Sequence, residues 1–199
     1  MGNATRESIV EAADRLFYEN GYEATSFADI ADAVNISRGN FYYHFRTKDE
    51  ILAAVIDVRL ALTGRMIESW EREASDPVGR IRRFIYMMID NRADIKRYGC
   101  PVGTLTTEMA KLDHAARDNA NRLFTLFGTW LATQFKALGF GTQSDSLAMH
   151  LLARSQGVAS LASAFRDERF IRDEVALMEE WLNAIVSEKT RKRRTRQTH

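Results

Sequence analysis

Seven residues within one short stretch carry the most distinctive chemistry in the chain: Ser37, Arg38, Gly39, Asn40, Tyr42, Tyr43 and His44. Asn can pair in bidentate fashion with an adenine edge and Arg with a guanine edge, while Tyr can touch a thymine methyl or a phosphate. Gly39 allows the backbone to come close to a duplex. Thr25, Ser26 and Lys48 flank the stretch, where hydroxyls and helix N-termini suit phosphates. Together these types fit the edge and backbone of a DNA major groove.

The competing reading makes Phe41-Tyr42-Tyr43-His44-Phe45 a core-packing aromatic patch. Five consecutive helical positions span more than a full turn, so they cannot all face one core. Phe41 and Phe45, four apart, take the core, and Tyr42, Tyr43 and His44 must then point elsewhere.

The elements that would position these residues are legible nearby. Ser26 and Asp29 form a capping-box-like start, followed by the apolar stripe Phe27, Ile30, Ala31 and Val34. Asn35-Ile36-Ser37 breaks that helix, and Ser37 can cap another over 38–45. Two helices of about eight residues joined by a short turn match helix-turn-helix geometry. A preceding helix is expected from after Thr5 to a stop at Gly21, with Ile9, Ala13, Leu16 and Phe17 on one face. Thr47 and Glu50 open a fourth helix of about 20 residues, long enough to connect two modules rigidly.

Beyond it, Asp76-Pro77 starts a fifth stripe (Ile81, Phe84, Ile85, Met88, Ile89) that runs to a break at Tyr98-Gly99-Cys100-Pro101. A short helix (Leu105, Met109, Leu112) and a longer one ending at Gly139 follow, and helices over about 145–165 and 170–187 close the body. The pattern predicts an all-α chain of about nine helices.

Composition narrows the function classes. No run approaches the ~20 apolar residues of a membrane span, and the N-terminus lacks a signal-peptide apolar stretch, so a cytoplasmic protein is expected. The single cysteine, Cys100, excludes an internal disulfide and a cysteine-based zinc site. His44, His114, His150 and His199 share no ligand spacing, and no nucleotide loop or nucleophile triad appears, which argues against an enzyme, a metal or a cofactor. Net charge is +1, but residues 189–196 hold six of the 28 basic side chains. With Glu188 the tail carries +5, leaving −4 for residues 1–187. Any DNA contact by the body must therefore be local. The tail, 189–199, is read as a disordered basic end, with non-specific polyanion binding as the alternative.

Residues 9–52 resemble the N-terminal domain of the TetR family of transcriptional regulators. The pattern is Ala12-Ala13, Leu16-Phe17, Gly21-Tyr22, Thr25-Ser26, Ile30-Ala31, Val34, Ser37-Arg38-Gly39-Asn40-Phe41-Tyr42-Tyr43-His44-Phe45, Lys48 and Leu52. Asn35 departs from the family's usual glycine, and Asn also tolerates the left-handed conformation. The resemblance implies a three-helix DNA-binding domain over 1–50 and a helical ligand-binding and dimerisation domain over 51–188. It implies a homodimer on a palindromic DNA operator, most often a repressor released by a small-molecule effector. A ligand-independent DNA-binding dimer and an activator are the alternatives.

A lone helix-turn-helix reads few base pairs, so two copies about one turn of DNA apart, ~34 Å, are needed. The stripes Leu147, Leu151, Val158, Leu161, Phe165 and Val175, Met178, Trp181, Leu182, Ile185 are expected to pair across a two-fold axis. Effector contacts are expected from Phe84, Met88, Met109, Phe127 and Trp130, with polar tips from Tyr98, His150 and Arg154. Cys100 precedes a helix start with Lys96 and Arg97 nearby, a setting that suits a reactive thiol. Its segment resembles one found in a branch of the family in which some members sense electrophiles. Structural packing of Cys100 is the alternative.

Overall fold

Helices in the first fifty residues start and stop where bare backbone groups find local partners. The computed structural model describes residues 2–197. α1 (Gly2–Asn20) begins a few residues earlier than expected and ends at Gly21, whose φ of +94° is open to glycine. α2 (Phe27–Ala33) carries the full capping box: Ser26 Oγ accepts from the Asp29 N–H, and Asp29 accepts from the Ser26 N–H at 2.7 Å. Asn35 adopts φ 54°, the left-handed turn that the resemblance required. Ser37 then caps α3 (Arg38–His44), accepting from the Asn40 N–H. Thr47 Oγ1 accepts from the Glu50 N–H at the start of α4 (Lys48–Glu73), although the Glu50 carboxylate returns to the Arg46 N–H instead of Thr47. At 26 residues α4 is longer than expected.

The chain divides into two compact units, one running to Gly64 and including Pro101–Phe124, the other Arg65–Cys100 with the chain from Thr125 onward. The first unit is thus built from two stretches, not from residues 1–50 alone. Its second stretch contributes α7 (Pro101–Lys111), which packs on α1. Leu105, Met109 and Ala120 share a core with Ile9, Phe17, Ile30, Phe41, Phe45 and Leu52. Met109, expected at an effector, is fully buried in that core because it continues the apolar stripe of α7. Arg59 on α4 is buried as well; its Nε donates to Asp14 on α1 at 2.5 Å and its Nη1 to the Pro101 carbonyl at 2.6 Å. A buried guanidinium is tolerable only with such partners.

In the second unit, α5 (Pro77–Asp90) and α6 (Arg92–Tyr98) replace one expected helix. The Asn91 side chain donates to the Met87 carbonyl at 2.8 Å, competing with helix propagation at that point. α8 (Arg117–Ala137) begins in the first unit, and a 3-10 turn at Gly141–Gln143 leads to α9 (Ser144–Phe165). α10 (Glu168–Gln197) packs on α5 and α9, and α6 on α9. Among the described residues there are ten α-helices and no strand.

α10 continues through the basic run to Gln197, where the sequence reading expected a disordered tail. Neither Gly nor Pro interrupts it, Lys and Arg are good helix formers, and Lys192 pairs with Glu188 one turn back. The Lys189 ammonium also lies over the Phe140 ring, 5.3 Å from its centroid. Thr198 and His199, the end of that tail, lie outside the described residues, as does Met1. No helix among those described is long and apolar enough to cross a membrane.

Candidate nucleic-acid interface

α3 sorts its side chains by helical phase. Phe41 and Phe45 are 1% and 2% exposed, whereas Tyr42 and Tyr43 are 53% and 83% exposed. Phe27 braces this arrangement, meeting Phe41 at 5.2 Å and Tyr42 at 5.6 Å between ring centroids, both edge to face. Ser37, Arg38, Gly39 and Asn40 are all exposed at the N-terminal end of α3, and no atom lies near the space a Gly39 Cβ would take. His44 is half-buried, its ring against that of Tyr43. Ser26, Phe27, Arg38 and Tyr42 border a shallow cleft of about 320 Å³ between α2 and α3. Side chains of the types that can pair with base edges thus share one surface with the Ser26 hydroxyl. Asp29 beside it is held below the usual carboxylate range by the Ser26 hydroxyl and the Ser26 N–H, so the cap is ionised.

Two residues expected on this surface stand elsewhere. Thr25 is 2% exposed, and its hydroxyl donates to the Gly21 carbonyl at 2.7 Å. Lys48 is half-buried; its Nζ donates to the carbonyls of Tyr22, Glu23 and Thr25 at 2.9, 3.3 and 3.1 Å. It also lies over the Tyr22 ring at 4.3 Å. Both tie down the turn before α2, because that turn exposes backbone groups that need partners.

A polar cluster elsewhere in the first unit was not anticipated. Tyr22 is 5% exposed and its hydroxyl donates to Asp49 at 2.5 Å. Burial and then the Asp49 carboxylate push its pKa far above the phenol range. His114 Nδ1 accepts from the Ala116 N–H, and its Nε2 lies 3.4 Å from the Tyr22 oxygen and from Asp49. Glu108 accepts from the Tyr22 and Glu23 N–H groups, each at 2.9 Å. The only local hint was Gly21, since residues that follow a helix stop no longer find an i−4 carbonyl and their N–H groups need another acceptor.

The expected effector residues do not converge on one point. Phe84 meets Phe127 at 5.5 Å, and Trp70 meets Trp130 at 5.4 Å and Phe127 at 6.5 Å, all buried. Trp130 Nε1 donates to Glu71, and Met88 is buried on α5. His150 stacks on Trp181 at 5.0 Å, and Arg154 pairs with Glu174 at 2.9 Å. These two are therefore engaged with α10. Tyr98 and Cys100 are half-buried at the end of α6, where Gln156 donates to the Cys100 sulfur at 3.5 Å and Arg97 lies over the Tyr98 ring at 5.8 Å.

The pairing stripes divide as well. Leu151, Val158, Val175, Met178 and Leu182 are buried within the subunit, where α9 and α10 pack on each other and α10 on α5. Leu161 and Phe165 stay 46% and 74% exposed.

Comparison with known proteins agrees with the geometry. Residues 9–55 match the family profile described as bacterial regulatory proteins, tetR family, and residues 77–176 match the C-terminal domain described as transcriptional regulator LmrA/YxaF-like. The chain is 30% identical over 167 residues to an uncharacterized HTH-type transcriptional regulator in the lacX 3' region of Lactococcus lactis, covering 82% of this chain and 85% of that protein. It is 27% identical over 143 residues to the HTH-type transcriptional repressor DhaR of a Mycobacterium species, covering 71% and 69%. The crystal structure of a TetR-family regulator from Agrobacterium tumefaciens has the same fold, with TM-score 0.81 at 22% identity over 90% of this chain and 98% of that one.

Proposed function

Because the chain belongs to the TetR family of bacterial regulatory proteins, we propose that it is a cytoplasmic repressor that binds a palindromic operator as a homodimer and is released by a small effector. The observation that carries this reading is α3: a capped helix whose Arg38, Asn40, Tyr42 and Tyr43 stand outward over the buried anchors Phe41 and Phe45. Ser26 and Ser37 serve the flanking phosphates, and Gly39 and His44 complete the face. The name of DhaR as a repressor supports the sign of regulation.

Dimerisation falls to the outer faces of α9 and α10. Met149, Leu161 and Phe165 on α9 and Leu177 on α10 are exposed, interspersed with exposed Ala153, Gly157, Ala164, Ala176 and Ala184. A small-residue face with a few large apolar side chains lets helices of two copies approach closely. The effector is apolar or electrophilic, its candidate contacts being the aromatic cluster of Phe84, Phe127 and Trp130 with Met88, and Cys100 with Tyr98 as the reactive alternative. Release requires only that the effector bind the DNA-incompetent arrangement more tightly than the competent one.

In-vitro selection of duplexes, followed by gel shifts with apolar ligands and with an electrophile, tests the proposal. Specific binding that survives Arg38→Ala or Tyr42→Ala unchanged rules out this reading face. An electrophile that acts equally on Cys100→Ser rules out thiol sensing.

A further inference from the structure

The five-residue turn from Gly21 to Thr25 fixes where the helix-turn-helix begins, since Ser26, the cap of α2, follows it directly. Consecutive N–H groups of Tyr22 and Glu23 leave the end of α1 pointing the same way, the geometry of a backbone anion nest. The acceptor that fills it is not a bound ion but the Glu108 carboxylate, with Oε2 on Tyr22 and Oε1 on Glu23, each at 2.9 Å. Gly21 leaves it room: a Cβ there would sit 3.3 Å from Glu108 Oε1. On the opposite side of the same turn the carbonyls of Tyr22, Glu23 and Thr25 receive the Lys48 ammonium from α4. The turn is clamped between a carboxylate on its donors and a cation on its acceptors.

The two clamps differ in origin. Lys48 belongs to the helix that continues from the helix-turn-helix itself. Glu108 belongs to α7, in the inserted stretch Pro101–Phe124, whose neighbours in the chain on both sides, Cys100 and Thr125, belong to the second unit. Arg59 holds the first residue of that stretch through the Pro101 carbonyl, and Leu105 and Met109 seat it on α1. Glu108 is the side chain through which α7 grips the backbone at the entrance to α2.

We infer that Glu108 is a positioning residue for operator recognition: its carboxylate on the Tyr22 and Glu23 amides holds the helix-turn-helix in its DNA-reading orientation. This inference rests on the operator-binding reading above. Lost charge-assisted bonds leave two donors bare and free the turn, which degrades the register of base contacts more than contacts that need only positive charge.

The test compares the full-length parent, Glu108→Gln and Glu108→Ala. Three quantities are measured: affinity for the duplex selected by the parent, affinity for a scrambled duplex, and hydrogen exchange at the Tyr22 and Glu23 amides. Glu108→Ala is expected to expose both amides and weaken the selected duplex by about tenfold or more, with scrambled-duplex affinity and helicity unchanged. Glu108→Gln, nearly isosteric and still able to accept one of the two bonds, falls between. The inference is overturned if the amides open while specific affinity stays within about twofold of the parent, or if both duplexes weaken equally, the mark of simple unfolding. A parent that prefers no duplex at all would overturn the operator reading instead, with amide protection still reporting whether the clamp exists.

Discussion

Adjacent aromatics in α3 have opposite fates, with Phe41 1% exposed and Tyr42 53% exposed, so single substitutions there separate reading from folding. Arg38→Ala removes an exposed group, and Tyr42→Ala an exposed ring whose edge contacts with Phe27 and Phe41 leave the buried anchors in place. Each is expected to weaken the selected operator by about ten- to a hundredfold, the worth of one good base contact, while the melting temperature holds. Fluorescence anisotropy beside thermal melting checks both halves. Lys48 gives the converse case. Its ammonium is spent on three backbone carbonyls, so Lys48→Gln should lower unfolding free energy by about 1–3 kcal/mol. It should leave the slope of log affinity against log salt unchanged, whereas a lost phosphate contact would shift that slope by about 0.9. A shifted slope with full stability would return Lys48 to the DNA surface.

At the scale of elements, the turn of the helix-turn-helix depends on Asn35 at φ 54°. Asn35→Ala keeps a Cβ in the left-handed region without the short polar side chain that tolerates it and should cost about 1 kcal/mol, whereas Asn35→Gly, which removes the Cβ, should be neutral or stabilising. Urea unfolding of the two variants decides this. At the start of α10, Glu168 receives Arg92, Lys96 and Arg172, and these bonds, Arg92 first, hold its pKa below the usual carboxylate value. A carboxylate depressed in the folded state stabilises above its unfolded pKa, and the contribution fades as pH falls through the folded one. The stability gap between the parent and Glu168→Gln should therefore shrink on acidification from about pH 5 to pH 3, as read by melting across that range. A gap constant over the range would mean that the pairing carries no net stability.

These elements also show what a sequence can and cannot disclose. Ser26, Asp29, Ser37 and Pro77 act on backbone groups within a turn of themselves, so their roles are written locally. Glu108 reaches an amide 86 residues away, and no periodicity announces such a partner. Thr25 and Lys48 read as surface residues by type, yet the turn's unsatisfied carbonyls claimed them. Met109 carried the right chemistry for a ligand cavity, but the stripe of α7 turns it into the core beneath the helix-turn-helix. Residue type gave the chemistry available at each position; which partner received it was set by the packing of distant helices.

For the whole molecule, the proposed dimer shares DNA affinity between two copies, because one α3 spans too little sequence to be selective. The outer faces of α9 and α10 carry the residues suited to that pairing, with Leu161 46% and Leu177 47% exposed among alanines and Gly157. A Cβ at Gly157 would meet no atom within 4 Å, so glutamate is accommodated there in the isolated subunit and would clash only in a dimer. Leu161→Glu and Gly157→Glu should both yield folded monomers by sedimentation velocity, with the helical signal intact. On a full palindrome the affinity should fall by about 10²–10⁴, the effective-concentration gain of tethering two sites, while an isolated half-site is bound as the parent binds it. Monomers that keep full-palindrome affinity would show that recognition does not require pairing, and dimers that survive both substitutions would place the interface on another face. The half-site measurement separates these outcomes from damage to α3, since only damage to the reading helix weakens both targets together.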